Sequence, residues 1–125
     1  MSDVAVLEVL SFKKGEGIVT AGRIPEDGEF FKDHFPDFPV LPGVLAVELL
    51  KQSAECYLNG GDLSSGRRRA LKQIRDVRFS SYLKPGDAWE AEVSLTAEQN
   101  GESSWRAKLL QGGRLACAAR FILTE

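Results

Sequence analysis

One histidine, two cysteines and one methionine are all that this 125-residue chain offers as imidazole or sulfur ligands, so metal centres built from several imidazoles are excluded. Any histidine chemistry has to pass through His34. Cys56 and Cys117 form no CxxC pair, which removes zinc-ribbon and dithiol redox motifs and leaves both as expected buried small hydrophobes. No charge dominates: 16 Lys and Arg stand against 18 Asp and Glu, and a net charge of −2 argues against nucleic acid as a default partner. Met1-Ser2-Asp3-Val4 lacks the basic and apolar regions of a signal peptide. The longest apolar stretch, residues 39–47, is interrupted by Pro42 and Gly43 and is too short to span a bilayer. A cytoplasmic location without membrane insertion is the expectation.

With 43% hydrophobic and 27% charged residues, composition is that of an ordinary globular protein, and the length suits a single domain over residues 1–125. Val4, Val6, Glu8 and Leu10 begin an imperfect alternation that stops at Lys13-Lys14-Gly15-Glu16-Gly17, and residues 18–24 resume it, which predicts a hairpin. Residues 30–41 hold two prolines and four phenylalanines, a composition for a buried but irregular segment. A helix is predicted from Pro42 through Tyr57, stopped by Asn59-Gly60-Gly61. Glu48, Lys51, Gln52 and Glu55 form one polar stripe on it, and apolar residues take most of the rest. Strands are predicted over 69–79, 88–97, 104–110 and 115–123, separated by Pro85-Gly86-Asp87, Asn100-Gly101 and Gly112-Gly113. The result is an α+β domain in which a helix apolar over most of its circumference needs a wrapping sheet, a partner subunit, or both.

Chemistry concentrates in residues 30–52, FFKDHFPDFPVLPGVLAVELLKQ. His34 and Glu48, 14 positions apart, can divide base and acid work if the fold brings them together. Alone, a single histidine is ordinarily a surface or hydrogen-bonded core residue, and a carboxylate on a polar stripe is ordinarily solvated. The helix start is the third feature. Pro39, Val40 and Leu41 have no side-chain oxygen to cap it, so the amides of Gly43 and Val44, at the positive end of the helix dipole, are open to a ligand carbonyl or to water.

His34-Phe35-Pro36-x-x-Pro39-Val40-x-Pro42-Gly43-Val44-Leu45-x-x-Glu48-x-x-x-Gln52 resembles the active-site signature of the 3-hydroxyacyl-acyl-carrier-protein dehydratases, and Arg78-Phe79 with Pro85-Gly86-Asp87 is similar to their downstream strand and turn. The resemblance implies a hot-dog fold, an antiparallel sheet wrapped around one central helix. It also implies a homodimer with two composite sites, open to further assembly, and a tunnel for an acyl chain carried on the phosphopantetheine of acyl carrier protein. No other cofactor and no metal is implied. His34 from one subunit would take the C2 proton, the amide of Gly43, beside that of Val44, would polarise the thioester carbonyl, and Glu48 from the other subunit would help the C3 hydroxyl leave. Gln52, one turn on, would fix the Glu48 carboxyl. The chain departs from the usual family pattern at Asp33, Asp37, Lys51 and Tyr82, which bears on substrate identity, and a specialised lipid or polyene pathway fits as well as housekeeping fatty-acid synthesis. A hot-dog thioesterase and a non-catalytic acyl-thioester binding module are the alternatives. Because acyl carrier proteins are acidic, Arg67, Arg68, Arg69, Lys72, Arg75, Arg78 and Lys84 are the expected docking patch.

Overall fold

Inward and outward residues alternate along the strand Ala88–Gln99: Trp89, Ala91 and Val93 are buried, while Glu90 and Glu92 are exposed. The same period of two runs through Glu102–Gln111, which buries Ser103, Trp105, Ala107 and Leu109. One face of the sheet therefore turns to a core and the other to water. The computed structural model describes residues 4–26 and 40–125. Its elements are β1 (Glu8–Lys13), β2 (Gly17–Arg23), α1 (Gly43–Leu58), β3 (Ala70–Phe79), β4 (Ala88–Gln99), β5 (Glu102–Gln111) and β6 (Arg114–Thr124). The six strands make one antiparallel sheet in the order β1-β2-β4-β5-β6-β3. Bulges in β1–β2, β4–β5, β5–β6 and β3–β6 bend it. This is the expected α+β hot-dog architecture, with α1 lying across β2, β4, β5 and β6.

The turns are built as their residues require. Asn100 and Gly101 have φ of 53° and 76°, the left-handed pair of a tight hairpin, and Gly112-Gly113 repeat the device between β5 and β6. At the helix end the amide of Asn59 donates to the Glu55 carbonyl at 2.9 Å and that of Gly61 to Cys56 at 2.8 Å.

Ala46, Leu49, Leu50, Ala54, Cys56 and Tyr57 are the apolar helix residues sunk into the core. Tyr57 meets Trp105 edge-on at 5.3 Å, and its hydroxyl accepts the amide of Gly15 at 2.6 Å, tying the first hairpin to the helix. Deeper, Ser53 Oγ donates to the Leu49 carbonyl at 2.9 Å; its one hydrogen is thereby spent, so Thr20 is the donor in the 2.7 Å Thr20–Ser53 contact. β3 is different. It lies at the sheet edge and is exposed along its whole length, with Leu71, Ile74, Val77 and Phe79 between 37% and 41% accessible. Among the described residues no helix is long and apolar enough to cross a membrane.

One close approach is testable. A Cβ on Gly22 would lie 2.5 Å from Cζ2 of Trp89, which is buried and paired with Gly22 across β2 and β4. Because the contact is with a buried ring, Gly22→Ala is expected to cost about 1–3 kcal/mol by overpacking, read as a lower thermal unfolding midpoint. An unchanged midpoint would show that β2 yields locally.

Candidate active site

Glu48 and Gln52 leave α1 one turn apart on the same side, and Gln52 Nε2 donates to Glu48 Oε2 at 2.9 Å. The N-terminal segment fixes the amide's orientation. Gln52 Oε1 accepts the backbone N–H of Val6 at 3.2 Å, while Nε2 also donates to the Val4 carbonyl at 3.1 Å. Only the amide oxygen can accept from Val6, so the NH2 group has to face Glu48.

The polar stripe is not the solvated face its pattern suggests. The Glu48 side chain is 21% exposed, and Arg68 closes over it with a guanidinium nitrogen 3.1 Å from Oε2. Glu55 is buried, and its carboxylate accepts the Arg69 backbone amide at 2.6 Å and pairs with Lys51 Nζ at 3.4 Å and Arg68 Nε at 3.3 Å. A buried carboxylate needs such surrounding donors to offset its lost hydration. Lys51, one of the departures from the family pattern, is thus accounted for by its ion pair. A depression of about 340 Å³ lined in part by Val4, Val6, Gln52, Cys56, Leu63 and Arg68 opens beside this cluster.

The start of α1 has no side-chain cap at Pro42. The Pro42 carbonyl accepts from Leu45 and Ala46. Among the described residues no hydrogen bond engages the amides of Gly43 or Val44, and Val44 is 75% exposed. Among the described residues, nothing occupies the positive end of the helix dipole, where a carbonyl oxygen can be held. The ring of Phe79 rests on Gly43: a Cβ there would come within 2.7 Å of the ring's Cζ. Tyr82, another family departure, stacks on Phe79 with centroids 5.9 Å apart.

His34 lies outside the described residues, as do Asp33 and Asp37. Among the described residues, no group of three or more His, Cys, Asp or Glu is placed to hold a metal ion. Both cysteines are buried free thiols whose pKa is raised chiefly by burial, that of Cys117 to about 11, which keeps them neutral and poor nucleophiles.

The proposed docking patch is broken up. Arg69 is only 6% exposed, and its guanidinium is spent on Asn59 Oδ1 at 3.2 Å and the Arg67 carbonyl at 3.3 Å, so it does not belong to an exposed patch. Arg68 is drawn to Glu48 and Glu55, and Lys72 pairs with Glu102. Arg67, Arg75, Arg78 and Lys84 stay exposed. Sequence reasoning missed the role of Arg68 at the Glu48 carboxylate, because a pairing across 20 residues and a loop leaves no local signal. It also missed the Val4–Val6 backbone as the clamp on Gln52.

Comparison with known proteins identifies the family. The family model ApeI-like, described as ApeI dehydratase, matches residues 11–118. The 3-hydroxyacyl-[acyl-carrier-protein] dehydratase FabZ of Bacillus cereus strain AH820 is 32% identical over 110 residues, covering 88% of this chain and 76% of that protein. In structure, the dehydratase heterocomplex ApeI:P from Xenorhabdus doucetiae aligns with a TM-score of 0.75 at 16% identity, over 98% of this chain and 82% of that one. A hypothetical thioesterase solved with coenzyme A from Streptococcus pneumoniae shares the fold, with a TM-score of 0.70 at 14% identity over 94% and 83% of the two chains. By the family match and the identity to FabZ, the chain belongs to the ApeI-like dehydratase family, and it is a hydro-lyase of the hot-dog fold.

Proposed function

We propose that this protein removes water from 3-hydroxyacyl thioesters carried on acyl carrier protein, giving trans-2-enoyl thioesters for fatty-acid or related lipid synthesis. The observation that carries the reading is the Glu48 carboxylate, half-sheltered and held by an amide of fixed orientation, on a helix whose first amides have no partner among the described residues. Dehydration needs a base for the weakly acidic C2 proton, stabilisation of enolate charge on the thioester oxygen, and an acid for departing hydroxide. His34 takes the proton at C2. The Gly43 amide, with the helix dipole behind it, stabilises the oxygen. Glu48 protonates the C3 hydroxyl, and water leaves. The phosphopantetheine arm of the substrate is the sole prosthetic group this scheme uses.

Two features support a homodimer with composite sites, His34 reaching the Glu48 of its partner. β3 offers an outer edge with no neighbouring strand among the described residues, and such edges favour pairing with another chain. Val44, Phe79 and Tyr82, at 75%, 40% and 52% exposure, leave apolar surface beside the helix start that one sheet does not cover. Arg67, Arg75, Arg78 and Lys84 are the cations left for an acidic carrier protein, and a cytoplasmic setting goes with such a partner.

The test is incubation with 3-hydroxyacyl-carrier-protein substrates of graded chain length, followed by mass spectrometry and a thiol assay. Loss of one water without thiol release is expected, with turnover of carrier-bound substrate falling as salt rises and that of small pantetheine thioesters holding steady. Thiol release would instead identify a thioesterase, and binding without turnover an acyl-thioester binding module.

A further inference from the structure

Glu48 Oε2 receives two donors, Gln52 Nε2 at 2.9 Å and an Arg68 guanidinium nitrogen at 3.1 Å. Each presents only N–H, so a proton on Oε2 would have no acceptor to face and would displace one of them. From this geometry, and resting on the dehydratase reading above, we infer that Arg68 is a positioning residue that reserves Glu48 Oε2, so that Oε1 is the oxygen that carries and delivers the proton to the C3 hydroxyl. In that step the Oε1–H bond breaks as the C3–O bond breaks. The C2–H electron pair becomes the C2=C3 bond, the C2 proton goes to His34, and the hydroxyl leaves as water.

Arg68 is suited to this work because its base is fixed even though its side chain is 61% exposed. The backbone on either side is tied down: Asn59 Nδ2 donates to the Arg67 carbonyl at 3.1 Å, and the Arg69 amide donates to the buried Glu55 at 2.6 Å. The guanidinium then spans two carboxylates of the helix, with Nε on Glu55 at 3.3 Å and a terminal nitrogen on Glu48. A planar fork is needed for that span, and an ammonium cannot reproduce both contacts. A guanidinium contact this exposed contributes little to stability, so its loss should be seen in the reaction rather than in the fold.

The experiment compares Arg68→Ala and Arg68→Lys with wild type on both a carrier-bound and a small pantetheine 3-hydroxyacyl thioester. Positioning predicts that Arg68→Ala lowers kcat about 10- to 100-fold on both substrates, with KM nearly unchanged and the thermal midpoint preserved. Free guanidinium ion at millimolar concentration should restore part of the kcat of Arg68→Ala, and Arg68→Lys should recover less than full activity. A KM increase confined to the carrier substrate would overturn the inference and return Arg68 to a docking role, and unchanged kcat would overturn it outright. Nitrogen-15 arginine NMR supplies a readout that needs no turnover: an Arg68 Nη–H signal should be protected in wild type and lose that protection in Glu48→Ala, which leaves no oxygen to accept it. A wild-type protein without dehydration would overturn the dehydratase reading and the proton assignment with it. Absence of the NMR contact in an active enzyme would overturn the Arg68 inference alone.

Discussion

Glu48→Gln is expected to leave the fold standing and to lower kcat by about two to four orders of magnitude, the range ascribed to a positioned acid or base. The substitution is close to isosteric, and its amide oxygen can occupy the Oε2 position and keep accepting from Gln52 and Arg68. What is lost is a proton that can be given away. His34→Ala should abolish dehydration, because it is the sole imidazole in the chain and no second histidine can substitute for it. Both variants are to be checked by circular dichroism and sedimentation before rates are compared. Turnover close to wild type in either well-folded variant would remove that residue from its assigned role.

That expectation shows which parts of the molecule are legible in sequence. Alternation along 88–97 and 104–110, with Asn100-Gly101 between them, predicts the β4–β5 hairpin to within a few residues, because a period of two and a left-handed turn are both local properties. Pro42 and Asn59-Gly60 likewise bracket α1. The stripe of Glu48, Lys51, Gln52 and Glu55 is visible as a stripe, but its meaning is not. What covers it comes from Val4 and Val6, more than forty residues upstream, and from Arg68 beyond the helix. Helical periodicity reports which residues share a face, and only tertiary structure reports what lies against that face. The arginine run 67–69 fails for a related reason. Three adjacent cations look equivalent as a charge cluster, yet the fold draws Arg68 to the helix carboxylates and buries Arg69 against Asn59.

If each site takes His34 from one subunit and Glu48 from the other, two inactive proteins should make an active one. Chains carrying His34→Ala, unfolded and refolded with an equal amount of chains carrying Glu48→Gln, pair at random into dimers of which half are mixed. In a mixed dimer, one site combines the intact His34 and intact Glu48, and the other combines both defects. About a quarter of wild-type turnover is therefore expected from the mixture, by the two-fold symmetry of such an assembly. The alternative, a site completed within one chain, predicts no recovery, since every chain then carries a defective site. Mixing without unfolding should recover activity only as fast as subunits exchange, and a dimer closed by β3 edges and the apolar surface at Val44 and Phe79 should exchange slowly. A protein that sediments as a monomer while turning over substrate would rule out the composite site altogether, and His34 would then have to reach Glu48 from its own chain.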